Sequence, residues 1–248
     1  MKAPLFIILL MAIPLTAAAQ LDDDHCDARS AAMGGCLLPP ADSTVNLNVG
    51  WCQGFMAKGM ASRTVTLGAP VGMHGRAVAL YNGFGDVDYN EQQLAAGYMM
   101  AVAPWISVMV YGLYSRVGTL DAHYDTQRWL DAGGGVTLGG ERVWGYLAAG
   151  SRSWSIVRPW GLRAGVVVRN THQITSAIAA TYYERLRLRC GMEYVHERHA
   201  FVRAGIATNP LVFTFGVGYR QRHFHIDLAT EVHSTLGLSP QISLGLCL

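Results

Sequence analysis

Across residues 202–248 apolar and polar residues alternate in three short stretches, interrupted by Asn209-Pro210, by Gln221-Arg222-His223 and by Leu238-Ser239-Pro240. Successive residues of a strand point to opposite faces, so each stretch carries one apolar wall and one polar wall. Leu211, Phe213, Phe215, Val217 and Tyr219 oppose Thr214, Gly216, Gly218 and Arg220. Phe224, Ile226, Leu228 and Val232 oppose His225, Asp227, Glu231 and His233, and Ile242, Leu244, Leu246 and Leu248 oppose Ser243, Gly245 and Cys247. In a soluble sandwich the apolar wall packs inward; in a transmembrane barrel it meets lipid while the polar wall lines the lumen. The alternation by itself leaves both open.

The same pattern, traced back along the chain, predicts about fourteen strands between residues 47 and 247, an even number that closes an antiparallel barrel first strand to last. Residues 92–115 are uncharged and long enough for a membrane-spanning helix. Their interior reads otherwise: Leu94, Ala96, Tyr98, Met100 and Val102 alternate with smaller residues, Pro104-Trp105 interrupts, and Ile106, Val108 and Val110 resume the alternation. Two strands joined by a tight turn fit this better than a helix with a central proline. Expected connections fall into a longer set on the outward side (86–91, 117–126, 153–160, 234–240) and a shorter set on the periplasmic side (104–105, 170–172, 196–199, 221–223), the asymmetry of outer-membrane barrels. The short 183–185 connection departs from it. Trp51, Trp105, Trp129, Trp144, Trp154 and Trp160 fall near strand ends, where an interfacial girdle or ordinary turn packing would place them.

Residues 1–19 read as a cleavable signal peptide: Lys2, an apolar run from Leu5 to Leu15, then Thr16 and three alanines. Cys26 follows an acidic stretch rather than the small residues, which argues against lipid anchoring. Composition then narrows the class. The chain is 51% apolar, carries 28 glycines and is only 15% charged, whereas a soluble domain has about 25% charge. That sparse charge disfavours a soluble exported sandwich. A net charge of +2 with no basic, aromatic-interleaved stripe gives no support to nucleic-acid binding, and no nucleic-acid partner is expected. The five cysteines are odd in number and contain no C-x-x-C pair, so neither a disulfide framework nor a zinc site is indicated. A Cys26–Cys36 bridge stays open, and Cys190 and Cys247 read as small apolar strand residues.

The richest polar constellation is His225, Asp227, Glu231 and His233 on one strand face. Imidazole and carboxylate suit a metal such as zinc, yet alternation alone puts polar groups on a wet lumen wall, and no metal or cofactor is expected. Arg187, Arg189 and Glu193, opposite Leu186, Leu188, Cys190, Met192 and Tyr194, would also face the lumen. There they would pair with Asp227 or Glu231, rigidifying the interior or attracting an anionic group on a ligand. These seven residues are the lumen-facing ligand-binding candidates. A barrel hydrolase would need a serine and a histidine in reach of each other; no histidine is followed two residues later by serine, and no catalytic residue is named. Asp22, Asp23, Asp24, His25 and Asp27 lack the spacing of a calcium loop. Gly34-Gly35 is no phosphate loop; it suits a tight turn where the amino-terminal segment meets the barrel mouth.

The stretch Asp27-Ala28-Arg29-Ser30-Ala31-Ala32-Met33-Gly34-Gly35 resembles the opening of Bacteroidota outer-membrane barrels of the PorV/PorQ type, which are similar to fatty-acid-transporter barrels. Tyr89-Asn90-Glu91-Gln92, the run from Arg203 to Pro210 and the run from Leu238 to Leu244 agree with it. The resemblance covers most of the mature chain and matches the short, uncharacterised members. It implies a fourteen-stranded barrel with an amino-terminal segment in or near the lumen, and either passage of hydrophobic compounds or a role beside type IX secretion. Where the family has Asn-Pro-Ala-Gly-Leu, this chain has Asn46-Leu47-Asn48-Val49-Gly50-Trp51.

The expected organisation is a signal peptide (1–19), a plug-like amino-terminal segment (20–46) and an all-β, antiparallel transmembrane β-barrel (47–248) in the cell outer membrane. The expected function is binding or passage of a small hydrophobic or amphipathic compound. A secretion accessory is the alternative, and an outer-membrane hydrolase the third reading. Expected partners are outer-membrane lipid, the barrel-assembly machinery and, on the alternative reading, secretion-system components.

Overall fold

A computed structural model describes residues 27–37, 45–72, 74–119, 125–140, 142–151, 160–183, 185–197 and 199–248. Fourteen antiparallel strands form one closed sheet: β1 (Asn46–Gln53), β2 (Ala61–Val71), β3 (Gly75–Gly85), β4 (Tyr89–Ala103), β5 (Ile106–Thr119), β6 (Gln127–Gly139), β7 (Val143–Ser151), β8 (Trp160–Arg169), β9 (Ile174–Tyr182), β10 (Leu186–His196), β11 (Ala200–Ala207), β12 (Val212–Gln221), β13 (Phe224–His233) and β14 (Gly237–Cys247). Each pairs with its chain neighbours, and β1 closes on β14 from Asn46 opposite Cys247 to Cys52 opposite Gln241. The uncharged stretch is the β4–β5 hairpin, and among the described residues no helix is long and apolar enough to cross a membrane.

The direction of the side chains decides between barrel and sandwich. Phe213, Phe215 and Val217 are 45%, 52% and 52% exposed on the outside of the sheet, while Thr214 between them is 2% exposed. With a single closed sheet there is no second layer for the aromatic wall to pack on, so it forms part of an apolar outer belt with Ile178, Leu188, Leu228 and Leu244. The inner wall is polar: Thr64, Asn82, Arg163, Thr181 and Ser243 are buried inside it, and Thr64 Oγ1 lies 3.1 Å from Asn82 Oδ1.

One rim carries connections of two to four residues: 72–74, 104–105, 140–142, 170–173, 197–199 and 222–223. The other carries 54–60, 86–88, 120–126, 152–159, 183–185, 208–211 and 234–236. Two connections expected to be long, 86–91 and 234–240, are three residues each, because β4 and β14 start earlier than their alternation suggested. The tryptophan girdle is partial. Trp51, Trp105 and Trp160 are exposed at strand ends, but Trp129 and Trp144 share the strand face of the buried Asp131 and Tyr146 and turn into the lumen. Trp154, Cys26, the acidic 22–25 stretch and the signal peptide lie outside the described residues; Cys36 carries a free, buried thiol.

A charge at the middle of a lipid-facing strand costs about 2–4 kcal/mol. Phe215→Arg is expected to lower barrel stability by that amount in a denaturant titration from phospholipid vesicles; a loss under about 1 kcal/mol would mean Phe215 does not face lipid.

Candidate functional site: a plugged lumen

The only α-helix among the described residues is α1 (Ala28–Ala32), and it sits inside the barrel. Asp27 caps it, its carboxylate accepting from Arg29 N (3.2 Å), Ser30 N (3.3 Å) and Ser30 Oγ (2.6 Å), and alanine at three of its five positions favours the helical backbone. Gly34 (φ 72°) and Gly35 (φ 80°) end it in the left-handed region, their amides donating to Ala31 O (3.0 Å) and Ser30 O (2.9 Å). The glycine pair thus makes a tight turn as expected, but inside the lumen rather than at its mouth. So short a helix does not persist in isolation; the wall holds it.

That wall is stripped of side chains where α1 lies. Gly191 and Gly205 are cross-strand partners on β10 and β11, and Gly205 pairs in turn with Thr214 of β12. A Cβ on Gly191 would strike the Met33 backbone, one on Gly205 the Met33 and Gly34 backbone, and one on Gly216 the Cβ of Ala32. Thr214 Oγ1 accepts from Gly34 N and donates to Ala32 O, both at 3.0 Å. Ala28, Ala31 and Ala32 pack on Ala229 of β13. Met33 and Cys36 reach the opposite wall and cluster with Tyr146, Val167, Ala177 and Ala179. Burial there pushes the Cys36 thiol up to about 12.

A chain of charges fixes the same segment. Arg29 grips Glu193 through Nε and Nη2, each at 3.2 Å. Arg203, the cross-strand partner of Glu193, donates from Nε to its Oε2 at 2.7 Å and from Nη1 to Asp227 Oδ1 at 2.5 Å. Gly218 leaves the passage open: a Cβ there would collide with both Asp227 and Arg203. Burial alone lowers the pKa of Arg29, but the Glu193 carboxylate outweighs it and the net shift is upward, so the guanidinium stays charged. Arg203 and Arg220 also lie over the Phe201 ring, at 5.1 and 5.2 Å.

All seven candidate residues fall on the inward face of their strands, and the plug separates them. Arg187, Arg189, Glu231 and His233 line a cavity of about 430 Å³ between Gly34-Gly35 and the rim with the longer connections. Glu193 and Asp227 belong to the ion chain, and His225, beside Gly245, sits toward the opposite rim. Of the two expected carboxylate partners, Asp227 is held by Arg203 rather than by Arg187 or Arg189, because Arg203 is the cross-strand neighbour of Glu193 and reaches over Gly218. Arg189 donates to Thr181 Oγ1 at 3.0 Å and contacts Gly35 O at 3.5 Å. Gln241 donates to Glu231 at 3.2 Å, and His233 Nδ1 accepts from the amides of Thr235 and Leu236, both at 3.3 Å. The four residues on β13 therefore do not converge, and among the described residues no three His, Cys, Asp or Glu groups form a metal cluster.

Apolar groups complete the cavity. The β1–β2 connection folds over it with Phe55 at φ 52°, its amide donating to Ser239 Oγ at 2.9 Å and its ring meeting His233 edge-on at 5.8 Å. Met60, Phe84, Val212 and Leu236 line the rest.

No protein-family model and no curated protein matches the chain. Among solved structures it is similar to the CymD monoaromatic hydrocarbon channel, with a TM-score of 0.66 and 11% identity over 94% of this chain and 98% of that one. It is also similar to the P. putida toluene transporter TodX, with a TM-score of 0.64 and 10% identity over 88% and 97% of the two chains. The barrel has the fold of these channels.

Arg29 and Arg203 were not among the candidates, although both are central to the plugged lumen. Arg203 had a readable signal, since it shares a strand face with Phe201 and Gly205 while Val202 and Ile206 take the other. Arg29 had none beyond its place in the Ala28–Gly35 opening. Removing one partner of a buried ion pair costs about 3–5 kcal/mol. Glu193→Gln is therefore expected to loosen the plug, raising single-channel conductance in planar bilayers and exposing Cys36 to maleimide at pH 8, as read by peptide mass spectrometry. Conductance and Cys36 protection that match the wild type would show that the ion chain does not hold the plug.

Proposed function

We propose that this protein is an outer-membrane barrel that binds and passes a small hydrophobic or amphipathic compound through the cavity above its plug. The observation that carries this is the cavity itself. At about 430 Å³ it has the size of a small-ligand pocket, and below it α1 and its ion pairs occupy the lumen beside β10–β13. Phe55, Met60, Phe84, Val212 and Leu236 offer an apolar body site, and Arg187, Arg189, Glu231 and His233 orient a polar end. The apolar outer belt supports an outer-membrane location. The fold likeness to two channels for aromatic hydrocarbons supports the compound class.

A PorV/PorQ-like kinship is part of this reading, and what supports it is that the nine-residue opening is the segment that builds the plug. The secretion-accessory alternative gains nothing from this geometry. The plug and pocket also describe a binding protein more readily than a hydrolase.

The test is saturable binding of the apolar fluorophore N-phenyl-1-naphthylamine to the purified barrel. Val212→Trp fills the cavity from its buried wall and is expected to weaken binding about tenfold, the effect of losing roughly 1.4 kcal/mol of contact. No saturable binding, or equal binding by the variant with its heat-modifiable gel migration intact, would overturn the reading.

A further inference from the structure

The outer face of β2–β6 is layered in a way the lumen does not explain. Nearest the rim with the longer connections, Arg63, Gly83, Gln92, Arg116 and Arg128 form one row of direct cross-strand partners. All share the outward phase of the exposed Val65, Tyr81, Leu94 and Leu130. Glu91 and Asp131, the acidic residues of these strands at this level, take the inward phase. Arg63, Arg116 and Arg128 have no acidic partner among the described residues.

Two rows further into the belt the side chains shrink. Ala79, Ala96, Gly112 and Ala132 are consecutive cross-strand partners, and between them and the arginines lie Tyr81, Leu94, Tyr114 and Leu130. The result is an apolar depression of about 490 Å³ on the lipid side, walled by Leu67, Tyr81, Leu94 and Leu130. The Tyr81 hydroxyl turns toward the basic row, lying 2.9 Å from where a Cβ on Gly83 would stand. That places an amphipathic ring at the boundary between belt and headgroup region.

We infer that this face is a binding site for a phosphorylated, multiply acylated lipid of the lipid A type, with an acyl chain in the depression and phosphates on the arginines. The inference rests on the membrane reading above. Arginine binds phosphate through paired donors, and a groove without bulky side chains accepts a chain that the belt elsewhere would only brush. The spacing favours two phosphates over one: Arg63 and Arg116 stand three strands apart, about 14 Å at the usual strand separation, the separation that a phosphorylated disaccharide headgroup spans and a single phosphodiester does not. Longer connections mark the exterior rim of an outer-membrane barrel, which puts the row in the leaflet that holds such a lipid. A second copy of the chain is a poorer occupant, because a symmetric contact through this face would bring like charges together.

The experiment is native mass spectrometry of the full barrel in mild detergent with equimolar lipid A, phosphatidylglycerol and phosphatidylethanolamine. Lipid A is expected to be retained preferentially. The combined R63Q, R116Q and R128Q variant is expected to reduce its bound fraction about tenfold, as loss of charge-assisted hydrogen bonds predicts. Gly112→Leu, whose Cβ would meet only the Asp131 carbonyl oxygen at an ordinary contact of 4.0 Å and which leaves the charge unchanged, is expected to reduce it as well. Undiminished lipid A on the triple variant, equal retention of phosphatidylglycerol, or a lipid-free dimer would each overturn the proposal. Wild-type barrel that fractionates with membranes yet shows any of these results sinks this site alone; barrel that never reaches the membrane sinks the reading beneath it.

Discussion

A chain that crosses hydrocarbon must leave no peptide group without a partner, because each one stranded there costs several kcal/mol. Here the pairing of β1 with β14 meets that condition, joining the two ends of the sheet from Asn46 to Cys52. Closure removes both edges, forces alternate residues to the inside and outside, and separates the lipid environment from the lumen. The inward direction of Glu193, Arg203 and Asp227 and the outward direction of Phe213 and Phe215 both follow from this one register. A slip of one residue in any strand would exchange them.

Closure also creates an interior that has to be filled, and this chain fills it with its own amino-terminal segment. The Asp27 cap and the Gly34-Gly35 turn shape a helix too short to stand alone, and the wall supplies the rest. Glycines at 191, 205 and 216 give it room, Thr214 bonds the Gly34 amide and the Ala32 carbonyl, and the Arg29–Glu193–Arg203–Asp227 chain ties it across three strands. Charges in such a place are costly unless each finds a partner, and the alternation of donors and acceptors along the chain provides one. Between the plug and the rim with the longer connections lies a pocket of mixed polarity.

Much of the barrel was legible along the chain. Period-two alternation located the strands to within a few residues, and the Pro104-Trp105 break separated β4 from β5. The inward face of all seven candidate residues followed from phase alone, because in a closed sheet phase and direction are the same property. Connection lengths were less legible: alternation says where a strand is clear, not where a neighbour's hydrogen bonds extend it, as at residues 86–91 and 234–240. Tryptophan position misled at Trp129 and Trp144, since a residue near a strand end still obeys the strand's phase.

Read along the chain, the residues specify a repeating local preference, which face of each strand is apolar, and therefore that the sheet has a greasy side and a wet side. Which residues meet across that sheet is settled by register and packing alone. Glu193 finds Arg203 because β10 and β11 are in that register, Arg203 reaches Asp227 because Gly218 is bare, and Arg29 joins them from a segment more than a hundred residues away. Periodicity is carried by neighbours in the chain. Partnership depends on strand register and on the absence of side chains at a few glycines, and neither can be read one strand at a time.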